Sequence, residues 1–227
     1  EIKMVKIISV ANQKGGVGKT TTSINLATSL SAINKKILLI DADPQGNAST
    51  GIGISYENRS PNLYNLIVNE SLDLNAIKKT IVPGLDIITA NTNLAASEIE
   101  LADVKNREFV LVNLLSKIEG YDYILIDCPP ALGLLTINAL VASQSIIIPL
   151  QSEFFALEGI SSLVNSIELI KENFNPNLFI EGILLTMVDK RNSLSSLVEK
   201  DVRNHFGETV YKTTIPRNVR VSEAPSH

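Results

Sequence analysis

The stretch Asn12-Gln13-Lys14-Gly15-Gly16-Val17-Gly18-Lys19-Thr20-Thr21 follows an apolar run, Val5 to Ala11, and opens a helix-patterned one, Thr20 to Ala32. A strand that ends in three glycines and restarts as a helix is a phosphate cradle. Glycine backbone can turn successive N–H groups inward onto phosphate oxygens, and the helix N-terminus adds its positive end. Lys19 is placed to reach β- and γ-phosphates, and the Thr20 hydroxyl to ligate Mg²⁺. Lys14, Gly15, Gly16, Val17, Gly18, Lys19, Thr20 and Thr21 are therefore the predicted nucleotide-binding residues. ATP and Mg²⁺ are the predicted ligands.

Outward from this motif, strand-like runs alternate with helical ones. The runs are Lys6 to Ala11, Lys36 to Ile40, Leu85 to Thr89, Tyr123 to Ile126, Ser145 to Leu150, Ile180 to Thr186 and Lys212 to Ile215. The central runs are nearly continuous Ile, Leu and Val, as expected of strands covered on both faces. The pattern predicts an α/β fold: a doubly wound, mostly parallel sheet of about seven or eight strands with helices on both faces. Helices are expected at Asn93 to Leu101, Arg107 to Ile118, Leu134 to Ala142, Ala156 to Lys171 and Ser193 to Phe206. A further helix begins with Ser60 as cap and Pro61 at its first position. No repeat or linker divides the chain, so residues 1–227 read as one P-loop ATPase domain.

In such sheets ligands gather beyond the carboxyl ends of the strands, so the residues just after each strand form the functional inventory. After the second strand come Asp41-Ala42-Asp43-Pro44-Gln45-Gly46-Asn47, and after the fourth come Asp127-Cys128-Pro129-Pro130. Ile124-Leu125-Ile126-Asp127 is a Walker B pattern: an apolar strand delivers a carboxylate that can hold Mg²⁺ near Thr20. Asp41 and Asp43 leave the second strand with diverging side chains, one toward the magnesium region and one toward the attacking water. Thr20 and Asp127 are thus predicted at the metal, and spacing alone leaves open which of Asp41 and Asp43 joins them.

Composition narrows the chemistry. One cysteine, Cys128, excludes a disulfide framework and a Cys-rich metal or iron–sulfur site within one subunit, which predicts a cytoplasmic protein. No apolar run has membrane-spanning length, and no membrane partner is expected. The net charge of −4 hides an asymmetry: residues 189 to 220 hold seven Lys/Arg against four Asp/Glu, leaving −7 for the remainder. A basic segment on an acidic protein can contact a polyanion.

The P-loop departs from the general pattern G-x-x-x-x-G-K-[ST], with Gln13 where the first glycine belongs and Lys14 following it. In this it resembles the deviant Walker A motif of the ParA/MinD superfamily of ATPases. The resemblance extends over essentially the whole chain, including Thr186-Met187-Val188-Asp189 and Ile215 to His227, and is strongest to the ParA/Soj type of chromosome or plasmid partitioning ATPase. It implies that Lys14 reaches the nucleotide of a facing subunit in an ATP-bound homodimer, so that Lys14, Lys19 and Asp43 form the catalytic set. It implies further that Asp43 orients water, that Asp41 supports the metal, that Gln45-Gly46-Asn47 form a switch, and that Met187, Pro216 and Asn218 contact adenine. Nonspecific DNA binding through Arg191 and Arg220, nucleoid association in the ATP form, and stimulation of hydrolysis by a ParB-type partner complete the expectation.

The chain stops at Ser226-His227, where members of the resembled family continue for about one more helix, which is therefore expected to be missing. A membrane-associated regulator of the MinD type needs a C-terminal amphipathic helix. An iron-protein-like reductase needs paired cysteines, and a metabolic kinase or synthetase would use the same phosphate site with a small substrate, which the dimer-type Lys14 argues against.

Overall fold

The computed structural model describes residues 5–153, 156–189 and 191–218. In chain order the elements are β1 (Lys6–Val10), α1 (Lys19–Ala32), β2 (Ile37–Asp41), α2 (Asn47–Gly51), α3 (Leu63–Val68), β3 (Ile77–Lys79), β4 (Leu85–Ile88), α4 (Ser97–Glu100) and α5 (Val110–Leu115). They continue with β5 (Tyr123–Asp127), α6 (Leu134–Ala142), β6 (Ser145–Gln151), α7 (Ala156–Asn173), β7 (Phe179–Val188), α8 (Ser193–Phe206) and β8 (Val210–Pro216). The strands form one eight-stranded sheet in the order β3-β4-β2-β5-β1-β6-β7-β8. Every pairing is parallel except that of β3 with β4.

The strand sequences account for this layering. In β2, Ile37 and Leu39 face the core under α1, together with Ala27, Ala48 and Ile52. Leu38 and Ile40 face the opposite core, with Leu63, Leu111, Leu140 and Leu163 from α3, α5, α6 and α7. A strand buried on both faces cannot alternate polar and apolar residues, which is why β2 reads as an unbroken apolar run. The short edge strand β3 carries two lysines and no such run, so hydropathy does not reveal it.

Three helix expectations change, the simplest being Arg107 to Ile118, which divides into a 3₁₀ turn over Arg107–Phe109 and the shorter α5, Val110–Leu115. The helix after Ser60-Pro61 starts at Leu63, and its cap is Asn62, not Ser60: the Asn62 side chain accepts from Tyr64 N–H while the Asn65 side chain accepts from Asn62 N–H. This reciprocal cap places the helix start two residues later than the Ser-Pro reading. Asn93 to Leu101 divides into a 3₁₀ turn over Thr92–Ala96 and the single-turn α4. Among the described residues no helix is long and apolar enough to cross a membrane.

Candidate nucleotide site

β1 and β5 pair in register with Val10 beside Asp127, and β2 pairs with β5 so that Asp41 also lies beside Asp127. Three neighbouring strands thus deliver the loop after Val10 and two carboxylates to one end of the sheet. Both carboxylates are fully buried.

The loop from Asn12 to Gly18 takes glycine-dependent geometry where it must. Gly18 has φ +91° and is the N-terminal residue from which α1 springs, and Gly16 has φ +72°. A Cβ at either position would be strained. The loop is tied at both flanks: Asn12 Nδ2 donates to the Pro149 carbonyl at 2.7 Å, and Thr186 Oγ1 donates to the Val17 carbonyl at 2.8 Å. The ends of β6 and β7 therefore hold a loop that has few side chains of its own.

α1 presents Lys19, Ser23, Ala27 and Ser31 to the sheet at a spacing of four. Small residues allow close approach, and the polar ones reach the site. Thr20 Oγ1 donates to Asp127 Oδ2 at 2.7 Å, and Ser23 Oγ donates to Asp127 Oδ1 at 2.8 Å. Lys19 Nζ donates to the Lys14 carbonyl at 2.9 Å, folding its ammonium back over the loop.

Burial sets the electrostatics of the site. Desolvation, then the nearby Asp41 charge, pushes the Asp127 carboxyl up to about 7. Desolvation outweighs the hydrogen bonds of Ser49 and Asp43 at Asp41 and pushes it up to about 6. Burial lowers the Lys19 pKa against the opposing pull of Asp127 and Asp43. Two buried carboxylates with one lysine nearby are short of positive charge, and the oxygen donor set of Thr20 and Asp127 suits a hard cation such as Mg²⁺. Among the described residues no group of three or more His, Cys, Asp or Glu could hold a metal, so phosphate oxygens and water would have to supply other ligands.

Asp41 is differently engaged from the metal contact expected of it. Its Oδ2 accepts from the Ser49 backbone N–H and hydroxyl, both at 2.7 Å, and its Oδ1 accepts from Asp43 N–H at 3.2 Å. Asp41 thereby pins the segment that carries Asp43 and begins α2. Asp43 is buried, and its Oδ1 accepts from Gln45 N–H at 2.9 Å.

The remaining predicted residues are spread around this centre. Lys14 is exposed and ion-paired with Glu153 at the end of β6. Met187 is half-buried with φ +51°, a conformation unusual for a residue with a Cβ. Val188 pairs with Pro216, and an open recess at the ends of β7 and β8 is lined by Val188, Asp189, Arg191, Thr214, Pro216 and Arg217. Pro216 and Asn218 are exposed. Arg191 forks onto Asp189, with Nε to Oδ1 and Nη2 to Oδ2 both at 3.0 Å. Arg220 lies outside the described residues.

Sequence reasoning missed Ser23, Ser49 and Glu153, and it quoted Thr186 as part of a strand-end motif without its bond to the loop. Ser23 was findable, because it falls one helical turn after Lys19 on the face that must look at the sheet. The other three depend on loop and strand neighbours far away in sequence.

The chain matches the family model for an AAA domain over residues 5–180. It is 52% identical over 225 residues to the chromosome partitioning protein ParA of Caulobacter vibrioides, covering 98% of this chain and 84% of the relative. It is 52% identical over 225 residues to the sporulation initiation inhibitor protein Soj of Bacillus subtilis, covering 99% and 89%. Among solved structures it superposes on a cobyrinic acid a,c-diamide synthase from Mycobacterium smegmatis with bound ADP and magnesium. That match has a TM-score of 0.89 at 34% identity and covers 95% of this chain and 88% of the other. A plasmid partition protein from Borrelia burgdorferi bound to AMPPNP superposes with a TM-score of 0.82 at 28% identity, covering 98% and 89%.

Proposed function

Because the chain belongs to the ParA/Soj family of chromosome partitioning proteins, we propose that it is an ATP-hydrolysing switch that partitions DNA. In this reading the ATP-bound homodimer binds DNA nonspecifically, and a ParB-type partner stimulates hydrolysis and release. The protein acts in the cytoplasm, associated with the nucleoid in its ATP form, and residues 1–227 work as one ATPase domain.

The observation that carries the proposal is the convergence of Lys19, Thr20, Ser23 and Asp127 at the head of α1 behind a glycine-turned loop. Bound Mg²⁺ would supply charge neutralisation at the phosphates, held through Thr20 and Asp127. Backbone N–H groups of Gly15 to Thr21 bind phosphate, Lys19 neutralises the β- and γ-oxygens, and Asp43 orients the water. Lys14 leaves its ion pair with Glu153 to meet the facing subunit's nucleotide. The recess beside Pro216, with Met187 and Asn218 close in sequence to its walls, receives adenine. Arg191 and Arg220 contact DNA phosphates.

The likeness to a protein described as a cobyrinic acid a,c-diamide synthase favours a second reading, an ATP-dependent amide-forming ligase. The two separate on one measurement: phosphate release and DNA co-sedimentation with ATP, Mg²⁺ and DNA as the only additions. A partitioning switch hydrolyses ATP and holds DNA in ATP more than in ADP. A ligase does neither without its carboxylic acid substrate and nitrogen donor.

A further inference from the structure

Arg59 is a buried cation that no carboxylate contacts directly among the described residues; its charge reaches the exposed Glu57, helping to lower a pKa that Glu57's own backbone hydrogen bond lowers most. Arg59 is 5% exposed, and among the described residues it forms no ion pair. Its guanidinium donates only to neutral acceptors: Nε and Nη2 to the Ile54 carbonyl at 3.2 and 3.1 Å, Nη1 to the Ala90 carbonyl at 3.3 Å, and Nη2 to Thr50 Oγ1 at 2.7 Å. The guanidinium carbon lies 5.7 Å from the centre of the Tyr56 ring. Burying a charge in this way is unfavourable unless its hydrogen bonds are well satisfied, and a nonpolar side chain of similar length would fill the space without that cost.

The acceptors show what the charge holds in place. Thr50 lies in α2, Ile54 lies just past α2, and Ala90 follows β4, so one side chain fastens the helix that follows Asp43 onto the rigid sheet. Gly46, where α2 begins, presses against the same group: a Cβ there would collide with Arg59 Nη1 and come within 2.9 Å of the Ala90 carbonyl oxygen. Ser49 makes the companion attachment, accepting from Ala90 N–H at 3.0 Å and donating to Asp41. The segment from Asp43 to Ile54 is thus clamped at its Asp41 end by Ser49 and at its outer end by Arg59. A fork of fixed geometry suits that task, because its several donors hold several carbonyl and hydroxyl groups in one register.

We infer that Arg59 is a positioning residue for hydrolysis, setting the placement of the Asp43 carboxylate through Thr50, Ile54 and Gly46 rather than touching nucleotide itself. The inference rests on the proposed ATPase activity. Displacement of a water-orienting group by a fraction of an ångström slows the chemical step while leaving phosphate binding by the glycine loop intact.

The test compares Arg59→Met and Arg59→Lys with the pair Thr50→Val and Thr50→Ser in the full chain. The readouts are phosphate release, affinity for a fluorescent ATP analogue with Mg²⁺, and the melting temperature. Arg59→Met should lower kcat on the order of tenfold, with analogue affinity within about twofold of the parent. Arg59→Lys, which keeps the charge and loses the fork, should fall between the two. Thr50→Val should lower kcat severalfold, while Thr50→Ser, which keeps the hydroxyl, should restore it; Thr50 is exposed, so this pair stays informative if Arg59→Met does not fold. Parental kcat in both Arg59→Met and Thr50→Val overturns the inference. So does a loss of nucleotide affinity equal to the loss of kcat. A parent chain that binds ATP but never hydrolyses it, with DNA or without, overturns the proposed function and this inference together.

Discussion

Thr20 Oγ1 and Ser23 Oγ each hold one oxygen of Asp127, so the carboxylate at the end of β5 is oriented by the first two turns of α1. This contact joins the phosphate loop to the strand beside it. It also leaves Asp127 buried next to Asp41, with both carboxyls pushed above the usual range, to about 7 and about 6.

Those shifts give the first prediction. A carboxyl whose pKa is higher folded than unfolded adds stability below the unfolded value, near 4, and that contribution is lost as pH rises through the folded value. The nucleotide-free protein should therefore lose melting temperature between about pH 4 and pH 7 through these two groups. Asp127→Asn removes one titration, and its melting temperature should fall less over that range. Equal slopes in the two proteins would mean that Asp127 ionises as an ordinary surface carboxyl does. Binding of ATP with Mg²⁺ should show the opposite trend, strengthening as Asp127 loses its proton.

The lysines of the loop should separate in their effects. Lys19 folds over its own loop, whereas Lys14 reaches outward to Glu153. Lys14→Ala should keep nucleotide binding within severalfold of the parent and lose ATP-dependent dimerisation and hydrolysis. Lys19→Ala should lose binding as well. Sedimentation velocity with ATP decides it: a Lys14→Ala dimer as stable as the parent removes the cross-subunit role.

Much of this site was legible in the sequence, for a physical reason. Phosphate binding by backbone demands glycines at fixed positions, and strands buried on both faces demand unbroken apolar runs, so loop, strands and strand-end aspartates each leave a local signature. The Lys14–Glu153, Thr186–Val17 and Arg59–Thr50 contacts leave none, because their partners are brought together by the sheet order or by a turn without periodicity. β3 escaped for a related reason: three residues at a charged edge carry no pattern. The Ser60 cap failed because Asn62, two residues on, offers a better reciprocal bond with Asn65.

Asp43→Ala should trap the ATP-bound state. Asp43 is buried and accepts from Gln45 N–H, at the start of the segment that Asp41, Ser49 and Arg59 hold down. Removing its carboxylate deletes the group proposed to orient water while the glycine loop and Lys19 are untouched. Phosphate release should fall by about 10²-fold or more, and the dimer formed in ATP should outlast that of the parent. Hydrolysis at the parental rate would mean that another group positions the water.

The proposed DNA contact gives the most exposed prediction. Arg191 extends into solvent from the loop before α8, yet its guanidinium is already forked onto Asp189, whose carboxyl it holds down at about 2. A phosphate must compete with that carboxylate, so Arg191 should contribute less to DNA affinity than an unpaired arginine would. Asp189→Asn weakens the competitor while keeping the fold of the loop, and it should tighten DNA binding in ATP. Arg191→Glu together with Arg220→Glu should weaken it for all sequences alike. With about four phosphate contacts per dimer, log affinity should fall with log salt at a slope near −3.5, and the double Glu variant should flatten that slope. ATP hydrolysis without DNA should change little in either variant. Co-sedimentation with DNA at several salt concentrations decides the matter. If the double Glu variant is retained as the parent is, the basic segment is a solvated face and the DNA contact lies elsewhere on the dimer.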